Sequence, residues 1–343
     1  ADVLGEQGLE TLCNSSLAYG TFSGLHDLRS VIARQYETLN AEDVLIVNGA
    51  SEAIEIFLRT NLQAGDEVVV QRPIFNSLRA TAEQIGCRIV DWDADDPVTC
   101  RFCVPQLADL CSERTKLIVF NFPHNPSGQM IAESELRQIC DIADRCEAMI
   151  LSDEQFRLLE LGSTQTLPAA CDLSERAVSV CSVSKTLGMG GLRIGWLATR
   201  CREKLQRAKE YRYYTTEMTN PPCQLIAAAA IRKSHELLSQ NRQRIQANVE
   251  RMVEFCLAHE TQMRLNPPAA GTMALVEQKT PLSSTEFCSR LLDDQRLFLV
   301  PGTLLGMSDR LLRFGFGRED FADGLERLSC FLQSSAAQLP TLH

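Results

Sequence analysis

Ser182-Val183-Ser184-Lys185-Thr186-Leu187-Gly188-Met189-Gly190-Gly191-Leu192-Arg193-Ile194-Gly195-Trp196 is the stretch on which the reading of this chain turns. A lysine stands among small hydroxyl residues, directly after the β-branched run 178–181. Glycines follow it, and Arg193 comes eight residues on. A dinucleotide-binding glycine loop is the rival reading. It fails on spacing, because G-x-G-x-x-G needs glycine where Arg193 stands and gives Lys185 no role. A lysine with hydroxyls and an arginine suits a Schiff base to an aldehyde cofactor that carries a phosphate.

Three further motifs lie upstream. In Val47-Asn48-Gly49-Ala50-Ser51-Glu52 a strand ends at Gly49 and a helix is expected from Ser51. The first N–H groups of a helix lack internal partners and favour an anion, and Ser51 could cap them. Alone, this is an ordinary capped helix as readily as a phosphate cradle. The run Asn121-Phe122-Pro123-His124-Asn125-Pro126-Ser127-Gly128 follows the strand-like run 117–120. It reads as a turn with restricted residues before proline. His124 there is expected to be a packed or solvated imidazole. Leu151-Ser152-Asp153-Glu154 closes another strand-like run. An Asp in that place can stay ionised when a cation or N–H⁺ faces it; otherwise it is a loop acid.

The 343 residues allow about two domains. Runs 44–47, 67–70, 88–92, 117–120, 149–152, 178–181 and 194–198 read as strands. Helical patterns, such as 51–61 and 133–147, lie between several of them. That alternation means an α/β fold with a mostly parallel seven-strand sheet, covered on both faces. One long helix is expected over 222–258. Strands at 273–276, 297–300 and 311–316 and a helix at 319–334 then make a smaller α+β C-terminal domain. The expected division is 15–235 for the large domain and 236–343, with 1–14, for the small one.

Composition narrows the function classes. With 34 Lys+Arg against 44 Asp+Glu, the formal charge is −10, and no basic footprint for nucleic acid appears. Neither a membrane span nor a signal peptide is read, the apolar stretch around 225–231 being far too short. The fourteen cysteines are scattered. Cys100 and Cys103 form one C-x-x-C, but no second pair or nearby His completes a zinc site. They read as small apolar residues in a reducing, cytoplasmic setting.

Together these motifs, from Tyr19-Gly20 through Arg313, resemble the fold-type-I pyridoxal-phosphate enzymes of the class I/II aminotransferase superfamily. The resemblance implies that Lys185 forms the Schiff base with pyridoxal 5′-phosphate. It implies that Asp153 pairs with the ring nitrogen and Asn125 with the ring oxygen. Phe75, in Arg72-Pro73-Ile74-Phe75, would stack on the ring. Ala50, Ser51, Ser182 and Arg193 would hold the phosphate. Tyr19 would reach the neighbouring subunit's phosphate, so a homodimer is implied. Arg313, in Leu311-Leu312-Arg313-Phe314-Gly315, would clamp the substrate carboxylate. Relative to the family, the amino-terminal arm that covers the active site is expected to be short or absent from this sequence.

Two departures bear on activity. Many aminotransferases carry a tyrosine three residues after the Asp, its hydroxyl on the ring oxygen; here that residue is Phe156. The run 121–128, Phe156 and Val300-Pro301-Gly302 are similar to the arginine cyclases that form capreomycidine and enduracididine. The expected activity is therefore cyclisation of a hydroxylated L-arginine, γ-hydroxyarginine ahead of β-hydroxyarginine. The alternative is amino transfer from an L-amino acid to a 2-oxo acid. A cofactor-binding regulatory domain would need an attached DNA-binding module, which the sequence lacks.

Overall fold

The computed structural model describes residues 3–96, 98–162 and 164–334. The larger sheet contains β1 (Val44–Val47), β2 (Glu67–Arg72), β3 (Arg88–Asp93), β4 (Thr115–Asn121), β5 (Met149–Asp153), β6 (Ala177–Ser182) and β7 (Gly195–Ala198). Their spatial order is β1-β7-β6-β5-β4-β2-β3. The run from β6 to β3 is parallel, and β7 is antiparallel to both its neighbours.

Alternation along β4 shows how the faces are used. Leu117 and Val119 point into the cluster that holds Ile54, Phe57 and Leu58 of the helix Ala50–Asn61. Ile118 and Phe120 point the other way, toward Leu136, Ile139 and Ala143 of the helix Glu133–Arg145. Both faces are covered, as a parallel sheet requires. The ladder sets Asn121 opposite Asp153, and Asp153 opposite Val180. The carboxyl ends of β4, β5 and β6 therefore lie side by side, where open α/β sheets bind ligands.

The smaller sheet is antiparallel, in the order β10-β11-β9-β8. Its strands are β8 (Met263–Leu265), β9 (Met273–Gln278), β10 (Val300–Pro301) and β11 (Leu311–Gly315). The helices Ser234–Ala258, Ser284–Gln295 and Phe321–Gln333 pack on it, with Phe287 and Phe331 edge to face at 5.1 Å. One apolar cluster runs from Leu28 and Trp196 through Met252 to Phe331, so the two sheets share a core. The helix Gly5–Cys13 lies against the helix Pro221–Arg232 and buries no residue of its own.

Two expectations need correction. The long helix over 222–258 is two helices, Pro221–Arg232 and Ser234–Ala258, broken at Lys233 (φ −97°, ψ 16°). Ala227, Ala228 and Ile231 are buried in the first, and Ile245, Val249 and Met252 in the second. The break gives each apolar stripe its own direction. The expected strand 297–300 shrinks to Val300–Pro301, because only these two residues find partners on β11, while Phe298 stays exposed. The strand Met263–Leu265 and the helix Arg202–Tyr213 were not anticipated. Among the described residues no helix is long and apolar enough to cross a membrane.

Gly128 joins the two sheets' territories. Its backbone is left-handed (φ +70°), and a Cβ there would lie 2.6 Å from the Met273 carbonyl oxygen and overlap Pro268. Its carbonyl accepts from Ala269 and Ala270. Gly128→Ala is expected to destabilise the protein by about 2 kcal/mol or more, from the left-handed conformation and overpacking together. Urea unfolding checks this; an unchanged midpoint would contradict it.

Candidate active site

Asp153 ends β5 at 3% exposure. Burial pushes its carboxyl up to about 7, and the neighbouring Glu154 adds to this. Against these, the Gln155 backbone N–H donates to Oδ1 at 3.0 Å, and the Lys185 ammonium attracts the carboxylate. Lys185 sits on the four-residue helix Val183–Thr186, directly after β6, with its side chain open to solvent in the protomer. Partial desolvation by the surrounding walls lowers its pKa, Arg313 and Arg193 lower it further, and Asp153 opposes them. The strand ends thus place an acid and a base of shifted affinity within electrostatic reach.

Asn121, at the end of β4, organises the next loop. Its Nδ2 donates to the Asp153 carbonyl at 2.7 Å, and its Oδ1 accepts from the Asn125 N–H at 2.7 Å. Asn125 in turn accepts from Arg313 Nη1 at 3.2 Å, linking β4 to β11 across the chain. His124 is fully packed, as one of its two expected readings had it. Its Nε2 donates to the Pro73 carbonyl at 2.8 Å, so Nδ1 accepts from Ser127 Oγ at 2.7 Å. Burial pushes the imidazole down to about 4, which keeps it neutral. His124 thereby fixes the loop that carries Phe75, whose ring is 40% exposed.

The anion cradle forms where β1 meets the helix Ala50–Asn61. The helix starts one residue earlier than expected: Gly49 (φ +92°) is its N-cap, without a side-chain cap. Ser51 is therefore not the cap, and its hydroxyl lies exposed in the first turn. Arg193, itself left-handed at φ 53°, donates Nη1 to the Gly190 carbonyl at 3.1 Å and Nη2 to the Asn48 carbonyl at 3.4 Å. A Cβ on Gly49 would overlap that guanidinium, so only glycine lets Arg193 lie across the helix start. Glu52 steadies the same turn, accepting from Asn48, from Thr216 and, at 3.2 Å, from Asn48 Nδ2.

Ser182 ends β6. Its Oγ donates to Gln155 Oε1 at 2.6 Å and accepts from the Ser184 N–H at 3.1 Å. Phe156 is buried against Gly271 and belongs to the shared core. Behind Asp153, Glu154 accepts from Ser179 Oγ (2.6 Å) and from the Ala170 N–H (2.9 Å). Arg157 stands 3.4 Å from Glu154 and over the Tyr36 ring. Tyr19 is 81% exposed in the single protomer.

Lys185 and Arg313 also line a cavity of about 740 Å³ that reaches past Thr272 and Phe298 to Asn241, Arg244, Arg296, Arg318 and Arg327. Asp320 and Asp323 are the acids on this wall, and Asp320 is paired with Arg318 at 2.7 Å. No local motif marks these arginines, because separate elements supply them, the helices Ser234–Ala258 and Phe321–Gln333 among them. Asn121 and Gln155 were also missed as site residues, although both adjoin motifs read from the sequence.

A family model described as aminotransferase class I and II matches residues 4–325. Capreomycidine synthase of Streptomyces vinaceus is 29% identical, over 90% of this chain and 79% of that protein. A PLP-dependent aminotransferase from Streptococcus suis superposes with a TM-score of 0.91 at 26% identity, covering 99% of this chain and 90% of its own. The PLP-dependent cyclase OrfR superposes with a TM-score of 0.88 at 30% identity, covering 97% and 88%.

The raised Asp153 pKa has a consequence for the cofactor-free protein. Between about pH 4 and pH 7 the folded state keeps a proton that the unfolded chain has released. Stability therefore falls as pH rises through that window. His124, held down near 4, works in the opposite sense, so a difference is the useful quantity. Asp153→Asn is expected to gain on wild type from pH 4 to 7, by up to ~4 kcal/mol. Urea unfolding at several pH values checks it; parallel curves for the two proteins would contradict it.

Proposed function

The chain belongs to the class I and II aminotransferase family, whose enzymes work with pyridoxal 5′-phosphate, and on that premise we propose that it cyclises a hydroxylated L-arginine. γ-Hydroxyarginine is the preferred substrate and β-hydroxyarginine the second. The observation that carries the reading is similarity over nearly the whole chain to a capreomycidine synthase and to a PLP-dependent cyclase. Phe156, buried where a tyrosine hydroxyl would otherwise meet the cofactor, agrees with it.

The residues present fit the cofactor. Asp153 is a buried carboxyl that an N–H⁺ would hold ionised, and Arg193 with the first turn of Ala50–Asn61 offers an anion donors. Asp153 would hold the ring nitrogen, Asn125 the ring oxygen, and Phe75 the ring face. Ala50, Ser51, Ser182 and Arg193 would hold the phosphate, with Tyr19 of a second copy reaching in from across a homodimer. Lys185 would hold the aldehyde carbon. Bound there, the cofactor supplies a ring that takes up the electron pair left when a substrate Cα–H bond breaks.

The chain's own residues do the rest. Arg313 grips the substrate carboxylate, and its bond to Asn125 sets the angle of the guanidinium. Lys185, its pKa lowered, has a larger neutral fraction near pH 7 and removes the α-proton. It hands that proton to the departing hydroxyl, which leaves as water. A guanidine nitrogen then bonds to the carbon the hydroxyl left, and the proton that nitrogen gives up passes through Lys185 back to Cα, so the net change is loss of one water; the γ-route also takes a proton from Cβ and returns it there. Attack at Cγ closes a five-membered ring and attack at Cβ a six-membered one. None of the fourteen cysteines forms a disulfide, which suits a reducing cytoplasm.

A second reading, amino transfer to a 2-oxo acid, is favoured by one feature. Arg244 and Arg318 are paired with Glu319 and Asp320, and Arg296 and Arg327 leave the cavity beyond Lys185 with an excess of positive charge, which suits a dicarboxylic acceptor better than a guanidinium. One assay separates the two. With γ-hydroxyarginine and no oxo acid, mass spectrometry should find a product lighter by one water. Turnover that appears only when an oxo acid is added would establish transfer instead. Phe156→Tyr is expected to lower the pKa of the Lys185–cofactor chromophore by about one unit, since a phenol donor stabilises the ring-oxygen anion. A spectral pH titration that shows no change would remove that role for position 156.

A further inference from the structure

Phe298 is an aromatic side chain that the chemistry above does not use. It is 67% exposed, on the segment between the helix Ser284–Gln295 and β10. A single exposed apolar residue on a convex surface needs no account. Phe298, however, lines the wall of the cavity that also holds Lys185 and Arg313. The smaller sheet limits its distance from Arg313, because Val300 of β10 pairs with Arg313 of β11. Phe298 lies two residues before Val300, at most about 7 Å of extended chain. Gly315, on the same wall, has no side chain to put over the ring.

The two acids of this cavity are not equivalent. Asp320 is paired with Arg318 at 2.7 Å. Asp323, in the first turn of the helix Phe321–Gln333, makes no ion pair among the described residues. Arg327, one turn further along that helix, donates instead to the Gln295 carbonyl at 3.5 Å. Arg244 is held by Glu319 at 2.9 Å. Arg296 is exposed to water, where its repulsion of a second cation is screened. The segments that carry Asp323 and Phe298 are in contact: a Cβ on Gly324 would lie 3.6 Å from Leu297 Cδ1. The wall therefore offers an open aromatic ring and an open carboxylate on adjoining segments.

We propose that Phe298 and Asp323 form the receptor for a guanidinium at the distal end of the substrate, the ring against its face and the carboxylate at its edge. The inference rests on the reading that Arg313 grips the substrate carboxylate beside Lys185. A guanidinium is planar and cationic. Its face is drawn to the negative face of an aromatic ring, and its N–H fork fits a carboxylate. An arginine-length side chain, with the guanidinium at its far end, matches the reach from Arg313 to Phe298. Phe298 and Asp323 thus set specificity without touching the reacting atoms.

The test is a spectral titration of the cofactor-loaded protein with L-arginine, with L-citrulline, which has nearly the same shape without the charge, and with L-glutamate. Wild type is expected to bind arginine about tenfold more tightly than citrulline. Phe298→Leu keeps apolar bulk and removes the ring, and Asp323→Asn keeps size and removes the charge. Each should weaken arginine about three- to tenfold and change citrulline by less than about twofold. Phe298→Tyr, which keeps a ring, should bind like wild type. Both positions are exposed, so neither change threatens folding. Equal losses for arginine and citrulline in the variants would overturn recognition of the cation. A wild type without preference for arginine over citrulline, or one that prefers glutamate, would overturn the receptor itself. The proposal and the cyclase reading fail separately. A wild type that prefers arginine but releases no water from γ-hydroxyarginine keeps the receptor and rejects cyclisation.

Discussion

A carboxyl group buried at the end of a central strand must stay protonated or face a positive charge, and Asp153 is such a group. Its surroundings are arranged around this constraint. The Gln155 N–H satisfies one oxygen, Lys185 supplies the nearest attractive charge, and the Glu154–Arg157–Tyr36 group behind it is neutralised within itself. The parallel ladder of β4, β5 and β6 brings Asn121, Asp153 and Ser182 into line, so the constraint is set by the topology. A ligand that brings a protonated nitrogen to the carboxyl would relieve it.

From that point the structure couples its two sheets. Arg313, on the smaller sheet, reaches Asn125, and Asn125 is held by Asn121, which in turn bonds the Asp153 carbonyl. Arg313, Asn125 and Asp153 are therefore joined by one connected set of hydrogen bonds. Gly128 lets the loop that bears Asn125 press against β9. The cation-lined cavity opens on the far side of Lys185 and Arg313, so whatever distal group a substrate has must come to terms with it.

Much of this was legible in the sequence for identifiable reasons. β1, β2, β4 and β6 are rich in β-branched residues and buried on both faces, and such runs read clearly. Asp153 ends β5, Lys185 follows the end of β6, and Arg193 leads into β7, places where neighbouring residue types narrow the chemistry. The break at Lys233 was hidden because both halves have good helix formers, and only the direction of their buried faces separates them. Met263–Leu265 has three residues and takes its pairing from β9, which is a tertiary matter. The cavity arginines carry no spacing signal. Their significance lies in side chains gathered from distant segments.

The central claim is that Lys185, facing Asp153, carries the cofactor. Borohydride reduction of the cofactor-loaded protein, followed by digestion and peptide mapping, tests it most directly. The account predicts that the reduced cofactor's mass is found on the peptide containing Lys185, and that it disappears in Lys185→Ala. A label on another lysine, or on none, would contradict it.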